Sequence, residues 1–244
     1  MEIPTNAILK IYGDEISQPV RSVLLFCDLN KIPYTYVKIS LAKGEQYQNE
    51  ELKKVNPNLK VPAISYSDSK VQNFYLSESC SILRFLADTY KVDEFWYNRK
   101  NPFRRALIEQ NLDWHHLNTR YVFYYAIIKQ IMAPNMLKMG GELAERAKTL
   151  PDTINQIPKI LKHLDKLLGK QKFIVDNEMS IVDLIYSQEI DQIRILGIDL
   201  KKYENLWAYL NNINSTPEGI KVNKVTEKLI EKANEKRKKM NPKF

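Results

Sequence analysis

A serine follows directly on a short apolar run in the stretch EISQPVRS, at residue 17. Pro19 suits the first turn of a helix, so Ser17 stands where that helix exposes its free backbone N–H groups. A hydroxyl at this place can donate a hydrogen bond to a thiolate, which lowers the pKa of the thiol and makes the sulfur nucleophilic. The same hydroxyl can instead cap the helix, and these eight residues taken alone favour the cap.

Two further stretches contain residue types that suit a peptide-like ligand with charged ends. In NLKVPAI, Pro62 begins a strand, and Val61 before it can offer its N–H and C=O to an extended ligand. In LSESCSI, Glu78 and Ser79 begin a helix, where N–H groups and a hydroxyl bind a carboxylate while Glu78 pairs with an amino group. Each stretch also has a purely structural interpretation, as a strand-start proline and as a helix cap with an acidic residue beside it.

The histidines and cysteines predict no further chemistry. His115 and His116 are adjacent, so on a helix they point about 100° apart, and no third ligand lies nearby. We therefore expect no metal site. Cys27 and Cys80 both lie in apolar segments far apart in the chain, which favours buried, reduced thiols over a disulfide.

The elements that must position these residues form two groups. The first group predicts strand–helix–strand, then strand–strand–helix on one sheet, which is the thioredoxin-like arrangement. Its predicted segments are 7–12, 19–30, 34–39, 61–66, 71–76 and 77–90, with a short helix within 45–58. The second group is helical throughout, with segments at 103–136, 152–168, 180–186, 202–214 and 221–238. Pro134 is expected to stop the first of these helices, and Pro158 to kink the second. The predicted domains are residues 1–91 and 92–244.

Composition and charge exclude some partners. The net charge of the 244-residue chain is +8, but residues 221–244 contain nine Lys or Arg against three Glu, which leaves only +2 for residues 1–220. Because the excess lies in the tail, we expect no nucleic-acid partner.

The longest apolar run, YVFYYAII, is far short of the ~20 residues of a membrane span, and the N-terminus has no secretion signal. We therefore expect a cytoplasmic protein.

As a set, several motifs resemble the glutathione transferase family, and its theta class in particular. They are SQPVR (17–21), KGEQ (43–46), VNPNLKVPA (55–63), LSES (76–79), EFWY (94–97) and SIVDL (180–184), and the resemblance extends to about residue 220. It implies a thioredoxin-like α/β domain that binds glutathione, followed by an all-α domain. In SIVDL, it implies a capping box in which Ser180 bonds the amide of Asp183.

The resemblance also implies roles for single residues. Ser17 would hydrogen-bond the glutathione sulfur, and Val61 would pair with the cysteinyl backbone. Lys60 would approach the glycine carboxylate, as would Gln46, which stands where theta enzymes often have a histidine. A glutamine donates a hydrogen bond but supplies no charge, so we expect weaker glutathione binding there. Glu78 and Ser79 would bind the γ-glutamyl end. Glu109 would reach the glutathione of the neighbouring subunit.

The implied protein is a cytosolic, homodimeric glutathione transferase with glutathione as co-substrate. Its helical domain would hold an apolar pocket for an alkyl halide, an epoxide or an organic peroxide, with Tyr124 or Tyr125 in its wall and the basic helix in 221–244 over it. Two alternatives stay open: a non-catalytic interaction module, as in translation elongation assemblies, and a specialised dehalogenase or peroxidase on the same scaffold. The joint presence of the glutathione-contacting residues argues against the module.

Overall fold

A four-stranded mixed sheet forms the first part of the chain. The computed structural model describes residues 7–240; the predictions for residues 1–6 and 241–244 lie outside it. The strands are β1 (Ile8–Gly13), β2 (Thr35–Lys38), β3 (Ala63–Ser67) and β4 (Phe74–Ser77), in the spatial order β2-β1-β3-β4. β1 is parallel to β2, and the other two pairings are antiparallel. The helices are α1 (Gln18–Leu29), α2 (Glu50–Val55) and α3 (Ser79–Thr89). The predicted thioredoxin-like order is therefore confirmed.

Alternation along the strands gives the sheet two buried faces. Leu9 and Ile11 of β1 face the main core, which α1 and α3 also enter, whereas Tyr12 faces a smaller cluster with Leu52 and Val55 of α2.

Gly13 ends β1 against α1. A Cβ there would lie 2.6 Å from the Val20 Cγ1 atom, so the glycine allows α1 to pack closely on the end of the strand.

β4 begins three residues later than predicted. The Asp68 carboxylate accepts hydrogen bonds from the N–H groups of Lys70 and Val71, both at 2.7 Å. These bonds hold residues 68–71 as a turn, so Val71 cannot begin the strand as its sequence suggested.

The rest of the described chain is helical, and its first helix passes the proline that was expected to stop it. The helical path runs from Pro102 to Met139 through α4 (Pro102–His115), α5 (Tyr121–Ile127) and α6 (Ala133–Met139). Wide π-helical turns at His116–Arg120 and Ile128–Met132 join the three. Pro134 lies in the first turn of α6, directly after the second wide turn, where its missing N–H breaks no regular α-helical ladder. The predicted stop near residue 134 is therefore wrong.

The expected kink at Pro158 is also wrong. A short 3-10 turn, Ile154–Gln156, precedes a separate helix α8 (Ile157–Leu168), and Pro158 lies in its first turn. The N–H that proline lacks would have no helical partner at that position, so the proline starts the helix and does not bend it.

The remaining helices are α7 (Gly141–Thr149), α9 (Ile181–Gln192), α10 (Glu204–Asn214) and α11 (Pro217–Met240). Every residue of α9 is buried, and α9 packs directly against α1. Within residues 7–240, no helix is both long and apolar enough to cross a membrane.

Candidate functional site

The sheet register places four predicted site segments at one edge. Tyr12 of β1 pairs with Ala63 of β3, and Ala63 pairs with Ser77 of β4. The loop after β1, the residues before β3 and the residues after β4 therefore leave the sheet at the same end. β2 ends there too, because it is parallel to β1 and its last residue, Lys38, pairs with Gly13. The structure thus brings the segments of Ser17, Gln46, Lys60–Val61 and Glu78–Ser79 to a common edge.

Ser17 occupies the N-cap position of α1, but its side chain does not act as a cap. The backbone at Ser17 is extended, and among residues 7–240 its hydroxyl accepts no capping hydrogen bond. Ser17 is therefore the N-cap residue, as the eight residues alone favoured. The capping hydrogen bond that they also favoured is wrong, because the side chain makes none. A partly buried hydroxyl beside the free N–H groups of a helix start remains available to a ligand.

Asp14 organises the loop that leads to Ser17, and the sequence did not single it out. Its side chain is buried, and its carboxylate accepts from the N–H groups of Ile16 at 3.3 Å and Leu41 at 2.9 Å. The first bond shapes the turn before Ser17, and the second joins that turn to the segment after β2. Because Gln46 belongs to this segment, Asp14 ties two predicted site segments together.

A buried asparagine orders the residues before β3. The Asn56 side chain donates to the carbonyl of Lys60 at 2.8 Å and accepts from the N–H of Asn58 at 3.1 Å. The Val61–Pro62 peptide bond is cis, and Val61 lies outside the paired register of β3. The Val61 backbone is therefore held in place without belonging to the sheet ladder, while the Lys60 side chain is exposed.

Glu78 has a backbone conformation that residues other than glycine rarely adopt. Its φ is 69° and its ψ is 111°, directly before α3. Such strain persists where surrounding structure holds it, and it concentrates at ligand sites. The Glu78 side chain is exposed, and Ser79 after it is buried at the start of α3.

Gln46 carries an unpaired polar atom. It lies in a 3-10 turn, Glu45–Tyr47, and its Oε1 is buried with no hydrogen-bond partner among the described residues. A buried oxygen without a donor is costly, so a bound donor or water would stabilise it.

Glu109 is already paired within its own chain. Its carboxylate accepts from the Arg84 guanidinium of α3, with Nε to Oε1 at 2.8 Å, and a second bond joins Arg84 Nη2 to Oε2. Glu109 therefore lies on α4 against α3. Its role toward a neighbouring subunit stays a prediction.

A buried arginine joins α1 to α9. Arg21 is fully buried, and its guanidinium donates to Gln188 Oε1 at 2.8 Å and to Gln192 Oε1 at 2.7 Å. Burial lowers the pKa of Arg21 to about 10, against the opposing attraction of the Asp191 and Glu189 carboxylates. The group still carries its charge at neutral pH, so it needs these acceptors.

A second arginine approaches the site from the helical domain. Arg120 Nη1 donates to Glu189 Oε1 at 2.9 Å and to the side chain of Gln18, the neighbour of Ser17, at 3.2 Å. Its guanidinium also lies over the Tyr124 ring, 4.6 Å from the centroid. Arg120 and Tyr124 therefore lie on the helical-domain side of Ser17. Tyr124 was predicted from the sequence as a pocket residue, whereas Arg120, Gln188, Glu189 and Gln192 were not predicted.

The long C-terminal helix contacts α1 near its start and the turn after α9 near its end. Near its start, Lys221 pairs with Asp28 at the far end of α1, at 2.8 Å. Near its end, Arg237 donates to the carbonyl of Ile195, just beyond α9, at 2.7 Å. Because the end of α9 lies beside the Ser17 loop, the last turns of α11 approach the same end of α1 as Ser17. A position over a pocket there stays a prediction.

Two clefts of the described chain lie away from this edge. An apolar cleft of about 370 Å³ is lined by Leu29, Phe95, Trp96, Glu178 and Met179. A polar cleft of about 470 Å³ lies between the end of α8 and α10, around Lys170, Asn205 and Asn212. Neither cleft is lined by a predicted site residue among residues 7–240.

His115 and His116 do not converge on a metal. His115 is buried, its Nδ1 lies 2.6 Å from Thr119 Oγ1, and burial holds its pKa well below the usual value. Within residues 7–240, no group of three or more His, Cys, Asp or Glu side chains could hold a metal ion.

The two cysteines are free thiols in the core, and both should resist alkylation. Burial raises the pKa of Cys27, and it raises the pKa of Cys80 to about 11. At pH 8, Cys80 is therefore ionised to about one part in a thousand, and only the thiolate reacts. We expect mass spectrometry to find neither cysteine carboxamidomethylated in the folded protein and both modified in urea. Modification of native Cys27 at the rate of a free thiol would contradict this expectation and make Cys27 a candidate nucleophile.

Comparisons with known proteins agree with this geometry. The chain matches the family model described as "Glutathione S-transferase, N-terminal domain" over residues 17–89, and the corresponding C-terminal domain over residues 130–222. It is 36% identical to Glutathione S-transferase T1 of Arabidopsis thaliana over 193 residues, which cover 77% of this chain and 74% of that protein. Identity to T3 of the same plant is also 36%, but there the chain spans only 30% of the protein's length.

A solved structure gives the same result. Human glutathione transferase theta-2, in complex with glutathione and an unknown ligand, superposes with a TM-score of 0.74 at 26% identity. The superposition covers 93% of this chain and 91% of that one.

Proposed function

This chain belongs to the glutathione S-transferase family, and we propose that it transfers glutathione to small electrophiles through a thiolate stabilised by Ser17. The observation that carries the proposal is the Ser17 hydroxyl, which makes no capping bond among the described residues. It lies at the sheet edge where the three other segments predicted to contact glutathione meet. A serine that served only as a helix cap would use its oxygen on the first turn.

In the proposed complex, glutathione lies extended along this edge. Val61 pairs with the cysteinyl backbone in the manner of an added strand. Glu78 and Ser79 bind the γ-glutamyl end, where the start of α3 favours a carboxylate and Glu78 an ammonium group. At the other end, Lys60 attracts the glycine carboxylate, and Gln46 donates to it with its amide.

The chemical step is a displacement at the electrophilic carbon of an alkyl halide or an epoxide. The thiol proton leaves to solvent, and the Ser17 hydroxyl donates to the sulfur that remains. A sulfur lone pair then forms the C–S bond while the carbon–halogen or carbon–oxygen bond breaks, and the leaving group takes the electron pair. The electrophile approaches from the side of Arg120 and Tyr124, since Arg120 bonds Gln18, the neighbour of Ser17, and lies over the Tyr124 ring.

We place this activity in a cytoplasmic homodimer that serves detoxification, with domains of residues 1–91 and 92–244. An apolar pair on α4 supports the dimer: Phe103 and Leu107, four residues apart, leave 82% and 45% of their surface exposed. Glu109 lies on the same helix. In this assembly it faces the neighbouring subunit's glutathione.

Titration of glutathione on the wild-type protein tests the proposal. We expect the thiol pKa of bound glutathione, read from the ultraviolet absorbance of the thiolate, to fall about 2 units below that of free glutathione. Such a shift corresponds to about 2.7 kcal/mol between the two protonation states. A bound thiol with its ordinary pKa would contradict the thiolate mechanism.

Binding itself separates the proposal from the interaction module. Absence of glutathione binding at millimolar concentration would favour a non-catalytic module. Normal binding and a lowered pKa, with turnover of organic peroxides alone, would favour the specialised peroxidase.

A further inference from the structure

The loop before Ser17 is anchored to the helical domain through its backbone. The carbonyl of Ile16 accepts a hydrogen bond from Gln192 Nε2 at 3.2 Å. The carbonyl of Glu15 accepts from Arg21 Nη1 at 2.9 Å. The two residues directly before Ser17 are therefore each fixed by a side chain, one from α9 and one from α1.

These two side chains also hold each other. Gln192 Oε1 accepts from Arg21 Nη2 at 2.7 Å, so the glutamine amide uses one end on the arginine and the other on the Ile16 carbonyl. Both residues are buried, Arg21 fully and Gln192 to 7% exposure. Few waters can replace a bond lost here, and so the loop geometry depends on this pair.

Gln192, which bonds the loop, is itself held firmly by the packing of α9. Gln192 is the last residue of α9, whose twelve residues are all buried and whose first turn is held by a capping box. α9 is also bonded to α1 at a second point, where the Ser22 hydroxyl donates to the carbonyl of Leu184 at 3.0 Å. The position of the Ser17 hydroxyl is thus set from the helical domain as well as from its own strand.

We infer that Gln192 and Arg21 are positioning residues for Ser17, which couple the helical domain to the ionisation of glutathione on the other domain. The inference rests on the proposed function of Ser17. A hydroxyl that moves by a fraction of an ångström away from the sulfur loses hydrogen-bond strength, so loosening the loop raises the thiol pKa. Both side chains are buried, so we expect neither of them to touch the ligand.

The decisive variant is Gln192→Met, which keeps the size of the side chain and removes both hydrogen bonds. We expect the pKa of bound glutathione to rise by about 1 unit, and the acid limb of the pH profile of kcat/KM to move up equally. The Kd of S-methylglutathione, which has no ionisable thiol, should stay within about twofold because the remote contacts remain. Faster amide hydrogen exchange at residues 15–17 in the ligand-free protein should accompany these changes.

Gln171→Met is the matched control. Gln171 Nε2 also donates to backbone carbonyls, those of Phe173 and Ile174, each at 2.8 Å, but in the loop before α9. It should destabilise the fold comparably and leave the thiol pKa unchanged. If Gln192→Met does not fold, Gln192→Glu provides the second variant, since it keeps the acceptor for Arg21 and loses the donor to Ile16. Because the added negative charge would itself raise the thiol pKa, the readout for this variant is the amide hydrogen exchange at residues 15–17.

The outcomes separate the inference from the proposed function. If Ser17→Ala leaves the thiol pKa unchanged, the proposed role of Ser17 is wrong and the positioning inference falls with it. If Ser17→Ala raises the pKa but Gln192→Met does not, or does so no more than Gln171→Met, only the positioning inference is overturned.

Discussion

Replacing Ser17 with alanine is expected to slow glutathione transfer about 25-fold at pH 7. The hydroxyl is the group that can donate to the sulfur, and its loss returns the bound thiol from a pKa about 2 units below the ordinary value of about 8.5 to that value. The thiolate fraction at pH 7 then falls from about three quarters to about 3%. Rate and thiolate absorbance measured on the same samples should fall together.

The pH dependence of the rate distinguishes ionisation of the thiol from other roles of Ser17. If Ser17 acts by ionising the thiol, the deficit of Ser17→Ala should shrink as pH rises and nearly vanish near about pH 9.5, where both proteins hold thiolate. A deficit that persists unchanged at high pH would mean that Ser17 orients the sulfur instead.

Two other variants sharpen the comparison. Ser215→Ala removes an exposed serine hydroxyl at the end of α10, in the helical domain and outside the contacts that hold the Ser17 loop, so the thiol pKa should not change. Ser17→Thr keeps a hydroxyl and should recover part of the lost ionisation.

The order of strands and helices could be predicted because it depends on local patterns. β1 alternates between two buried faces, and α8 has an apolar stripe, so each can be read from its own residues. The meeting of the segments of Ser17, Val61 and Glu78 could be inferred only from their resemblance to a family. Their proximity depends on strand register, which the sequence alone does not state.

The buried polar contacts could not be predicted. Gln188 and Gln192 are polar residues in a helix, and by pattern alone they belong to a solvated face. They are buried because Arg21, 171 residues before Gln192 in the chain, brings its charge to them. A similar limit applies to Pro134, since nothing in the sequence signals the wide turn that accommodates it.

Replacing Asp183 with alanine is expected to lower the free energy of unfolding by about 3 kcal/mol and the Tm by about 10 °C. The Asp183 carboxylate is fully buried and completes the predicted capping box of α9. It accepts from the Ser180 N–H at 2.8 Å and the Ser180 hydroxyl at 3.1 Å, and from the Ile174 N–H at 2.9 Å. Alanine leaves two buried N–H groups without an acceptor. Asp199→Ala, which removes the exposed cap of Lys201 N–H, should cost about 1 kcal/mol or less in a parallel thermal melt.

The same carboxylate should make stability depend on pH in a defined direction. Burial raises the pKa of Asp183 to about 6, although its hydrogen-bond donors oppose the shift. In the unfolded chain the pKa is about 3.9, so between about pH 4 and pH 6 the folded state binds more protons than the unfolded state. The stabilisation is therefore complete below about pH 4 and is lost as pH rises toward 6, by about 3 kcal/mol in all. Asp183→Asn provides the control because an asparagine side chain does not titrate. The unfolding free energy of the wild type minus that of this variant should therefore decrease from about pH 4 to about pH 6. A constant difference across this range would show that Asp183 is ionised throughout.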